Sequence, residues 1–325
     1  MTTIAYREAV QRALREEMRR DSSVFVFGED VAEPGGVFKA TLGLLDEFGP
    51  KRVFDTPISE SALAGVAVGA AMMGMRPVLE IMFADFTTIA MDGIVNSAAK
   101  VRFLSAGEYT APMVVRMSYG AGARWGAQHT QSVESWLMNV PGLTIVQPST
   151  PHDVLGLLKS AIRSPDPVIV LEHKNLYGKK EDVPDEEFLV PIGKAAIRRE
   201  GTDVTIAATG AMVDRALAAA RTLAAEGTEA EVIDVRSIIP LDVDTIVESV
   251  VRTGRLVTLH EAPVFGGFGA EIAASVGQRA FGYLDAPIER LGGAWSPIPF
   301  GQVLIDEYLP SEQDIVRAAE RTLSS

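Results

Sequence analysis

The stretch FDTPISESALAGVAVGAAMMGM, from Phe54 to Met75, decides the fold of this chain. Ser59 and Glu60 follow a turn that contains proline, and no charged residue occurs from Ala62 to Met75. Serine is favoured as a helix cap and acids are favoured in a first helical turn, so the pattern predicts that a helix begins here. A helix that is apolar on every side has no face for water and must be buried in protein. The stretch is too short and too rich in glycine for a membrane span, which needs roughly 20 apolar residues.

Glu60 lies at the N-terminus of this apolar helix, where a carboxylate is desolvated unless it is paired. Desolvation raises the pKa of a carboxyl group. Two interpretations remain open at this point: the acid pairs with the helix N-terminus, or it handles protons. Gly65, Gly69 and Gly74 leave one side of the helix as nearly bare backbone, so a neighbouring element can approach it closely.

The composition is that of a globular protein, with 325 residues, 47% hydrophobic and 22% charged, which suits two domains. A net charge of −13 disfavours nucleic acid and anionic lipid as partners. The absence of cysteine excludes disulfides, thiolate metal sites and a cysteine nucleophile. The first residues do not resemble a signal peptide, and no stretch is long enough to span a membrane, so we expect a cytoplasmic location.

Strand and helix patterns alternate along the whole chain. Strands that read as near-continuous apolar runs between helices predict parallel sheets covered on both faces. The predicted fold class is therefore α/β, with two doubly wound domains at 1–176 and 193–325 and a charged, proline-containing linker at 177–192. Within the first domain, hydrophobic spacing predicts single helices over Ile4–Arg20 and Thr87–Leu104.

Three loops of the first domain are candidates for a site, because open parallel sheets bind ligands at the carboxyl ends of their strands. These loops are residues 55–60, 84–86 and 120–131. His129, in the third loop, is either a surface residue or a proton carrier, since imidazole titrates near neutrality. Phe86, at a strand-to-helix turn, is either a core residue or a stacking platform for a flat ring.

The glycine-rich loop at Gly120–Gly126 does not have dinucleotide-binding spacing. It reads G-x-G-x-x-x-G rather than G-x-G-x-x-G, which disfavours a nicotinamide or flavin site. None of the four histidines stands at metal-ligand spacing to another. Patterns for a serine nucleophile, a P-loop or a metal diphosphate are missing from the sequence. The residues alone therefore indicate a two-domain α/β protein with a site around Glu60.

Several motifs together resemble one family. Five stretches are similar to the β subunits of thiamine-diphosphate-dependent 2-oxo acid dehydrogenases. They are the opening stretch continued to ADF, NSAAK, GAQHTQS, PGLTIVQPS and SAIRSPDPVIVLEHK. These dehydrogenases are the first components of the pyruvate, acetoin and branched-chain complexes, which decarboxylate 2-oxo acids or cleave acetoin. The resemblance covers essentially the whole chain. It implies a transketolase-like pyrimidine-binding domain followed by a transketolase C-terminal-like domain, in an α2β2 heterotetramer. The cofactor would lie between subunits, with its diphosphate and magnesium held by the α subunit.

The resemblance also implies roles for individual residues. Glu60 would bond a ring nitrogen of the cofactor's pyrimidine, Phe86 would stack on that ring, and Ile58 and Met82 would line the pocket. A buried acid that shares its proton with the ring favours the tautomer that activates the cofactor. His129 matches the active-site histidine, which orients or protonates the intermediate and assists acyl transfer to lipoamide.

Further expectations concern an ion, a partner and the substrate. The resemblance implies a potassium ion held by backbone carbonyls near Ala161, Ile162, Ser164 and Asp166. The C-terminal domain would dock the lipoyl-bearing dihydrolipoyl acyltransferase, whose basic binding domain suits an acidic chain in sign. The expected substrate is pyruvate or acetoin, with branched-chain 2-oxo acids as the alternative. A non-catalytic scaffold subunit and a NAD-linked oxidoreductase are the rival functions.

Overall fold

The structure is a computed structural model that describes residues 1–122 and 124–324. Ala123, inside the predicted glycine-rich loop, lies outside the described residues. The strands are β1 (Thr2–Ala5), β2 (Val24–Gly28), β3 (Val53–Asp55), β4 (Arg76–Ile81), β5 (Val114–Tyr119), β6 (Thr144–Val146), β7 (Val168–His173), β8 (Lys180–Val183), β9 (Ala196–Arg199), β10 (Val204–Ala208), β11 (Ala230–Asp234), β12 (Ser237–Ile239), β13 (Leu256–Pro263) and β14 (Glu289–Gly293). The α-helices are α1 (Tyr6–Arg20), α2 (Leu44–Phe48), α3 (Glu60–Met72), α4 (Thr87–Met91), α5 (Val101–Leu104), α6 (Glu134–Leu137), α7 (Pro151–Arg163), α8 (Met212–Ala225), α9 (Val243–Thr253), α10 (Phe268–Arg279), α11 (Gln302–Tyr308) and α12 (Glu312–Leu323).

The chain forms two compact units. The first contains residues 1–119 and 136–192, and the second contains residues 120–135 and 193–325. The segment that carries His129 therefore belongs to the second unit, and the charged segment 177–192 belongs to the first. The domain boundaries expected from the sequence stay a prediction.

The first unit is built on a parallel sheet in the order β6-β7-β5-β4-β2-β3. Every residue of β2, β5 and β7 is buried, as is every residue of β4 after Arg76. Strands that are covered on both faces carry continuous apolar runs, which is why the sequence pattern predicts this sheet correctly. Helices α1 and α7 pack against each other.

The two ends of the first unit are joined by a small sheet that the sequence analysis missed. The predicted helix over Ile4–Arg20 begins only at Tyr6, because Thr2–Ala5 forms β1 and pairs antiparallel with β8. β8 lies inside the segment predicted to be an aperiodic linker. A single two-stranded ladder between distant segments leaves almost no periodicity in either of them, so the pattern could not reveal it.

The predicted helix over Thr87–Leu104 is also wrong in detail. It is divided into α4, a π-helical stretch at Asp92–Ala98, and α5. A Cβ atom placed on Gly93 would lie 2.6 Å from the Cβ of Ala64, so the π-helical stretch passes directly over α3. The irregular helix and the glycine together permit this close contact.

Helix α3 begins at Glu60 as predicted, but it is buried on one face only. Its core face consists of Leu63, Ala64, Ala67, Val68 and Ala71. The opposite face is exposed and is formed by Ser61, Ala62, Gly65, Val66, Gly69, Met72 and Met73. Complete burial of the helix is therefore not achieved within this chain. An apolar, glycine-lined surface of this kind is typical of a protein–protein contact.

The second unit has a five-stranded sheet in the order β14-β13-β10-β11-β9. All neighbours are parallel except β9, which runs antiparallel to β11 at the edge. Helices α8 and α12 share a hydrophobic core with β10, β11 and β13, while α9 contacts β10 and α10 contacts β13. The predicted restart of the strand–helix alternation is confirmed.

Candidate active site

The candidate site is built at the carboxyl edge of the first unit's sheet. Gly28, the last residue of β2, pairs with Asp55 on β3 and with Glu80 on β4. The chain leaves this edge through Glu29 after β2 and through the turn that leads into α3 after β3. Parallel strands bring such exits together, so acidic and polar side chains collect at one edge.

Glu60 is buried at this edge, with 4% of its surface exposed, in the first turn of α3. Glu29 is a second buried acid close to it. Burial of Glu29 is the largest cause that raises its pKa, and the negative charges of Glu60 and Asp30 raise it further. Oε1 of Glu29 is buried and has no hydrogen-bond partner among the described residues. The sequence analysis missed Glu29, although an acid that directly follows a buried strand was the available signal.

Thr56 adds another unsatisfied polar atom to this edge. Its Oγ1 is buried without a hydrogen-bond partner in the described chain, while its backbone N–H donates to Gly28 O at 3.0 Å. The carboxylate of Asp55 accepts from the backbone N–H of Ala32 at 2.7 Å and so orders the loop after β2. Buried polar atoms without partners are rare in native proteins and indicate a ligand or ordered water.

The expected ring-binding residues lie beside this edge. Phe86 is half-buried in a 3-10 turn and meets Phe83 edge to face, with the ring centroids 5.8 Å apart. Met82 follows β4 directly, is half-buried, and accepts through its carbonyl from the hydroxyl of Ser118. Ile58 is 82% exposed, so within this chain it lines no pocket.

His129 lies in the second unit, whereas Glu60, Met82 and Phe86 lie in the first. It is half-buried, and its backbone N–H donates to Gly126 O, which also accepts from the Thr130 hydroxyl at 2.6 Å. The ring of Trp125 is tilted at 44° to the imidazole, with the centroids 6.5 Å apart. The tight turn around Gly126 fixes the backbone that presents the histidine.

The segment expected to bind potassium forms hydrogen bonds with two arginines. The carbonyl oxygens of Ile162 and Ser164 both accept from Nη1 of Arg76, at 2.7 and 2.9 Å. The carboxylate of Asp166 accepts from Nε of Arg102 at 2.6 Å. A guanidinium group therefore occupies the point toward which the two carbonyls converge, and the potassium ion stays a prediction. No group of three or more metal-ligating side chains occurs in the described parts of the chain.

A buried ion network lies within the same sheet. Arg116 on β5 binds Glu172 on β7 through two hydrogen bonds of 2.7 and 2.8 Å, and Glu80 on β4 through one of 2.7 Å. The Tyr177 hydroxyl donates to Glu172 at 2.8 Å. Burial raises the pKa of Glu80, although the charge of Arg116 opposes that rise. The network ties three central strands together beneath the site.

Comparison with known proteins identifies the family. Residues 2–180 match the family "Transketolase, pyrimidine binding domain", and residues 193–315 match "Transketolase, C-terminal domain". The chain is 51% identical to the rice (Oryza sativa subsp. japonica) protein "Pyruvate dehydrogenase E1 component subunit beta-2, mitochondrial", covering 97% of this chain and 85% of that protein. It is 46% identical to "2-oxoisovalerate dehydrogenase subunit beta" of Bacillus subtilis (strain 168), covering 100% and 99%. The chain belongs to the E1 β-subunit family of 2-oxo acid dehydrogenases.

The solved structures agree with this assignment. "Split gene transketolase, inactive beta4 tetramer" matches with a TM-score of 0.81 at 28% identity, covering 99% of this chain and 98% of that one. The predicted family and the predicted transketolase-like two-domain α/β fold are both confirmed. An E1 β subunit is part of a thiamine-diphosphate-dependent oxidoreductase that acts on 2-oxo acids and includes an α subunit. This assignment favours the main prediction over the NAD-linked alternative.

The edge residues fit the pyrimidine part of that cofactor. Glu60 is a buried acid and Phe86 is a half-buried aromatic residue of the same unit, and Glu29 and Thr56 each have a buried oxygen with no hydrogen-bond partner among the described residues. Such oxygens suit the ring nitrogens and amino group of an aminopyrimidine.

No helix in the described residues is long and apolar enough to cross a bilayer.

Proposed function

We propose that this β subunit belongs to an enzyme that decarboxylates pyruvate and passes the acyl group to lipoamide, with Glu60 and His129 as its catalytic residues. The observation that carries the proposal is the buried Glu60, with the partnerless carboxylate oxygen of Glu29 at the same edge. Relatives named as pyruvate dehydrogenase β subunits, at 48–51% identity, support pyruvate. The Bacillus subtilis relative at 46% identity keeps a branched-chain 2-oxo acid as the second candidate.

Thiamine diphosphate, when bound, supplies a nucleophilic carbon that attacks the 2-oxo group and an electron sink as carbon dioxide leaves. Glu60 would hold a proton against the ring nitrogen of the pyrimidine. Burial in the first turn of α3 keeps bulk water from that proton. Phe86 would stack on the ring face and Met82 would support it, while Ile58 would join the pocket once a second chain covers it.

His129 would hold or move a proton at the substrate oxygen and assist acyl transfer. Imidazole is suited to both steps because it gains and loses a proton near neutral pH. The turn at Gly126 and the contact with Trp125 orient the ring before substrate arrives. A proton carrier that is already oriented loses little entropy when the reaction begins.

The exposed face of α3 supports the requirement for a second subunit. Cβ atoms placed on Gly65 and Gly69 would have nothing within 4 Å, and Val66 and Met73 are 53% and 84% exposed. Burial of this face beside Glu60 by the α subunit would complete the site. We propose an α2β2 heterotetramer, with magnesium and the diphosphate held by the α subunit and an acyltransferase bound to the C-terminal domain.

The test is a reconstituted assay. The chain is co-expressed with its α subunit and supplied with thiamine diphosphate and magnesium. Decarboxylation is measured with pyruvate and branched-chain 2-oxo acids, and carbon–carbon bond cleavage is measured with acetoin. Glu60→Gln keeps the shape of the side chain but cannot share the same proton, so we expect turnover to fall by at least 100-fold. Full turnover in Glu60→Gln would show that the proposed role of this acid is wrong. If the unmodified complex turns over one of these substrates only, and this turnover is lost in both His129→Ala and Glu60→Gln, that compound is the substrate.

Two finer expectations remain part of the proposal. A potassium ion at residues 161–166 must compete with Arg76, so its presence is tested by the stability measurement described in the Discussion. The cytoplasmic location rests on the sequence alone, and the rice relative is named as mitochondrial.

A further inference from the structure

Glu261 joins the two ends of the segment that carries His129. One carboxylate oxygen, Oε1, accepts from the backbone N–H of Ala121 at the start of this segment. The same oxygen accepts from the hydroxyl of Ser132 near its end, at 3.3 Å. Between Gly120 and Val133 the described residues form no helix or strand, so the path of the segment depends on side-chain contacts such as these.

Glu134 is a second buried acid at the same place. Its side chain is 1% exposed, and neither of its carboxylate oxygens has a hydrogen-bond partner from another described residue. Burial is the main cause that raises the pKa of Glu134 to about 7, and the negative charge of Glu261 raises it further. The hydroxyl of Tyr308 also faces both acids, and its own pKa is raised to about 12 by burial and by their charges, so it stays neutral.

Among the described residues, neither carboxylate oxygen of Glu134 has a hydrogen-bond partner that would compensate its charge. The acids are faced by Tyr308 from α11 and Ser132 from the loop, and a cluster of apolar side chains lies alongside. The buried members of that cluster are Ala121, Ile298, Ile305, Tyr308 and Leu309. Two ionised carboxylates in such surroundings repel each other strongly, and that repulsion is relieved if the loop opens to water.

We propose that Glu261 and Glu134 form a positioning pair for the His129 loop, in which ionised Glu261 holds the two ends of the loop together and protonated Glu134 permits the closed state. This inference rests on the role proposed above for His129. Both acids act through the loop. Loss of the proton from Glu134 releases the loop, so the position of the histidine becomes dependent on pH.

The sign of the pH dependence follows from the two states of Glu134. In the closed loop its pKa is about 7, and in water it has the ordinary value of 4.5. The closed state therefore binds more protons than the open state between these values. The contribution of Glu134 to closing is largest below pH 4.5, weakens as the pH rises through 7, and is pH-independent above that. Between pH 5.5 and 7.5 the closing equilibrium constant should fall roughly 20-fold.

Hydrogen exchange measured on the complex with the α subunit tests this. Exchange in peptides that cover residues 120–135 is compared at pH 5.5 and 7.5 after correction for intrinsic chemical rates. In the unmodified protein we expect loop opening to rise roughly 20-fold between these pH values. Glu134→Gln, a neutral side chain of the same shape, should remain closed at both pH values. Glu261→Ala should be open at both, and Glu261→Gln, which keeps the acceptor oxygen, should restore part of the protection.

A matched control and a second readout separate this inference from the proposed function. Glu320 is an exposed acid of the same unit, and Glu320→Gln should behave like the unmodified protein. An equal pH dependence in the unmodified protein and in Glu134→Gln would overturn the inference, as would unchanged protection in Glu261→Ala. If the loop responds as expected but His129→Ala retains full turnover, the proposed function is wrong and the positioning pair stands. If His129→Ala is inactive but the loop does not respond, the pair is wrong and the proposed function stands.

Discussion

The exposed face of α3 leads to a prediction about two glycine substitutions. They should raise the stability of the separate β subunit and weaken its assembly with the α subunit. Gly65 and Gly69 lie inside the helix, and a methyl group added to either would meet nothing within 4 Å. Alanine is more favourable than glycine inside a helix by about 0.5–1 kcal/mol. The double substitution Gly65→Ala/Gly69→Ala should therefore stabilise the separate β subunit by about 1–2 kcal/mol. For a unit of this size the melting temperature should rise by roughly 2–4 °C per kcal/mol.

The same methyl groups should weaken assembly with the α subunit. If the partner backbone packs directly on the glycines, each added methyl group overfills the contact, which costs about 1–3 kcal/mol. The two methyl groups together then cost about 2–6 kcal/mol. A loss of 1.4 kcal/mol corresponds to tenfold in affinity, so the dissociation constant should rise by roughly 30- to 20,000-fold. Thermal melts of the separate β subunit and titration calorimetry with the α subunit measure the two effects.

Gly277 provides a matched control for this experiment. It lies inside α10, and an added methyl group there would also meet nothing within 4 Å. Gly277→Ala should therefore raise the melting temperature without the loss of affinity expected for the α3 variant. The reasoning fails if the double substitution binds the α subunit with unchanged affinity, or if it lowers the melting temperature of the separate β subunit.

Three further predictions concern charged groups in the first unit. Arg116→Met leaves two buried carboxylates without their cation and should destabilise the protein by about 3–5 kcal/mol in urea unfolding, and Arg116→Lys should not restore the two-fold contact. Arg76→Met removes two hydrogen bonds to carbonyl oxygens and should cost about 1–3 kcal/mol. If the proposed potassium ion binds at residues 161–166, the unmodified protein should melt at a higher temperature in KCl than in choline chloride at equal ionic strength, and Arg76→Met, which lacks the competing guanidinium, should be stabilised by KCl more strongly. Equal melting temperatures of the unmodified protein in the two salts would show that the proposed ion is absent. Glu29 has a raised pKa in the folded state, so its proton stabilises the fold below the ordinary carboxyl pKa of 4.5. This contribution is lost as the pH rises through the raised pKa. Glu29→Gln should therefore flatten the pH dependence of stability and should be relatively more stable than the unmodified protein at pH 8.

Local patterns were sufficient to predict much of the fold. Continuous apolar runs predicted the parallel strands because both faces of the sheet are covered, and Ser59-Glu60 correctly marked the start of α3. The pairing of β1 with β8 could not be predicted, since it depends on two segments that are distant in the sequence and meet only after folding. The one-sided exposure of α3 was also hidden, because an apolar sequence does not reveal which molecule covers it.

The candidate site was predictable only in part. Glu60 was found because a lone acid at the start of an apolar helix is conspicuous. Glu29 and Glu134 were not found, although Glu29 directly follows a buried strand, because tertiary packing is what removes water from each of them. The roles of Phe86 and His129 came from family resemblance, since an aromatic residue or a histidine in a loop has many ordinary explanations.

The open strip on α3 also has a consequence for how this protein is made. A β subunit with an exposed apolar, glycine-lined face tends to associate with other copies of itself when the α subunit is scarce. We therefore expect cells to produce the two subunits in matched amounts, and surplus β chains to collect in idle homomeric assemblies until fresh α chains arrive.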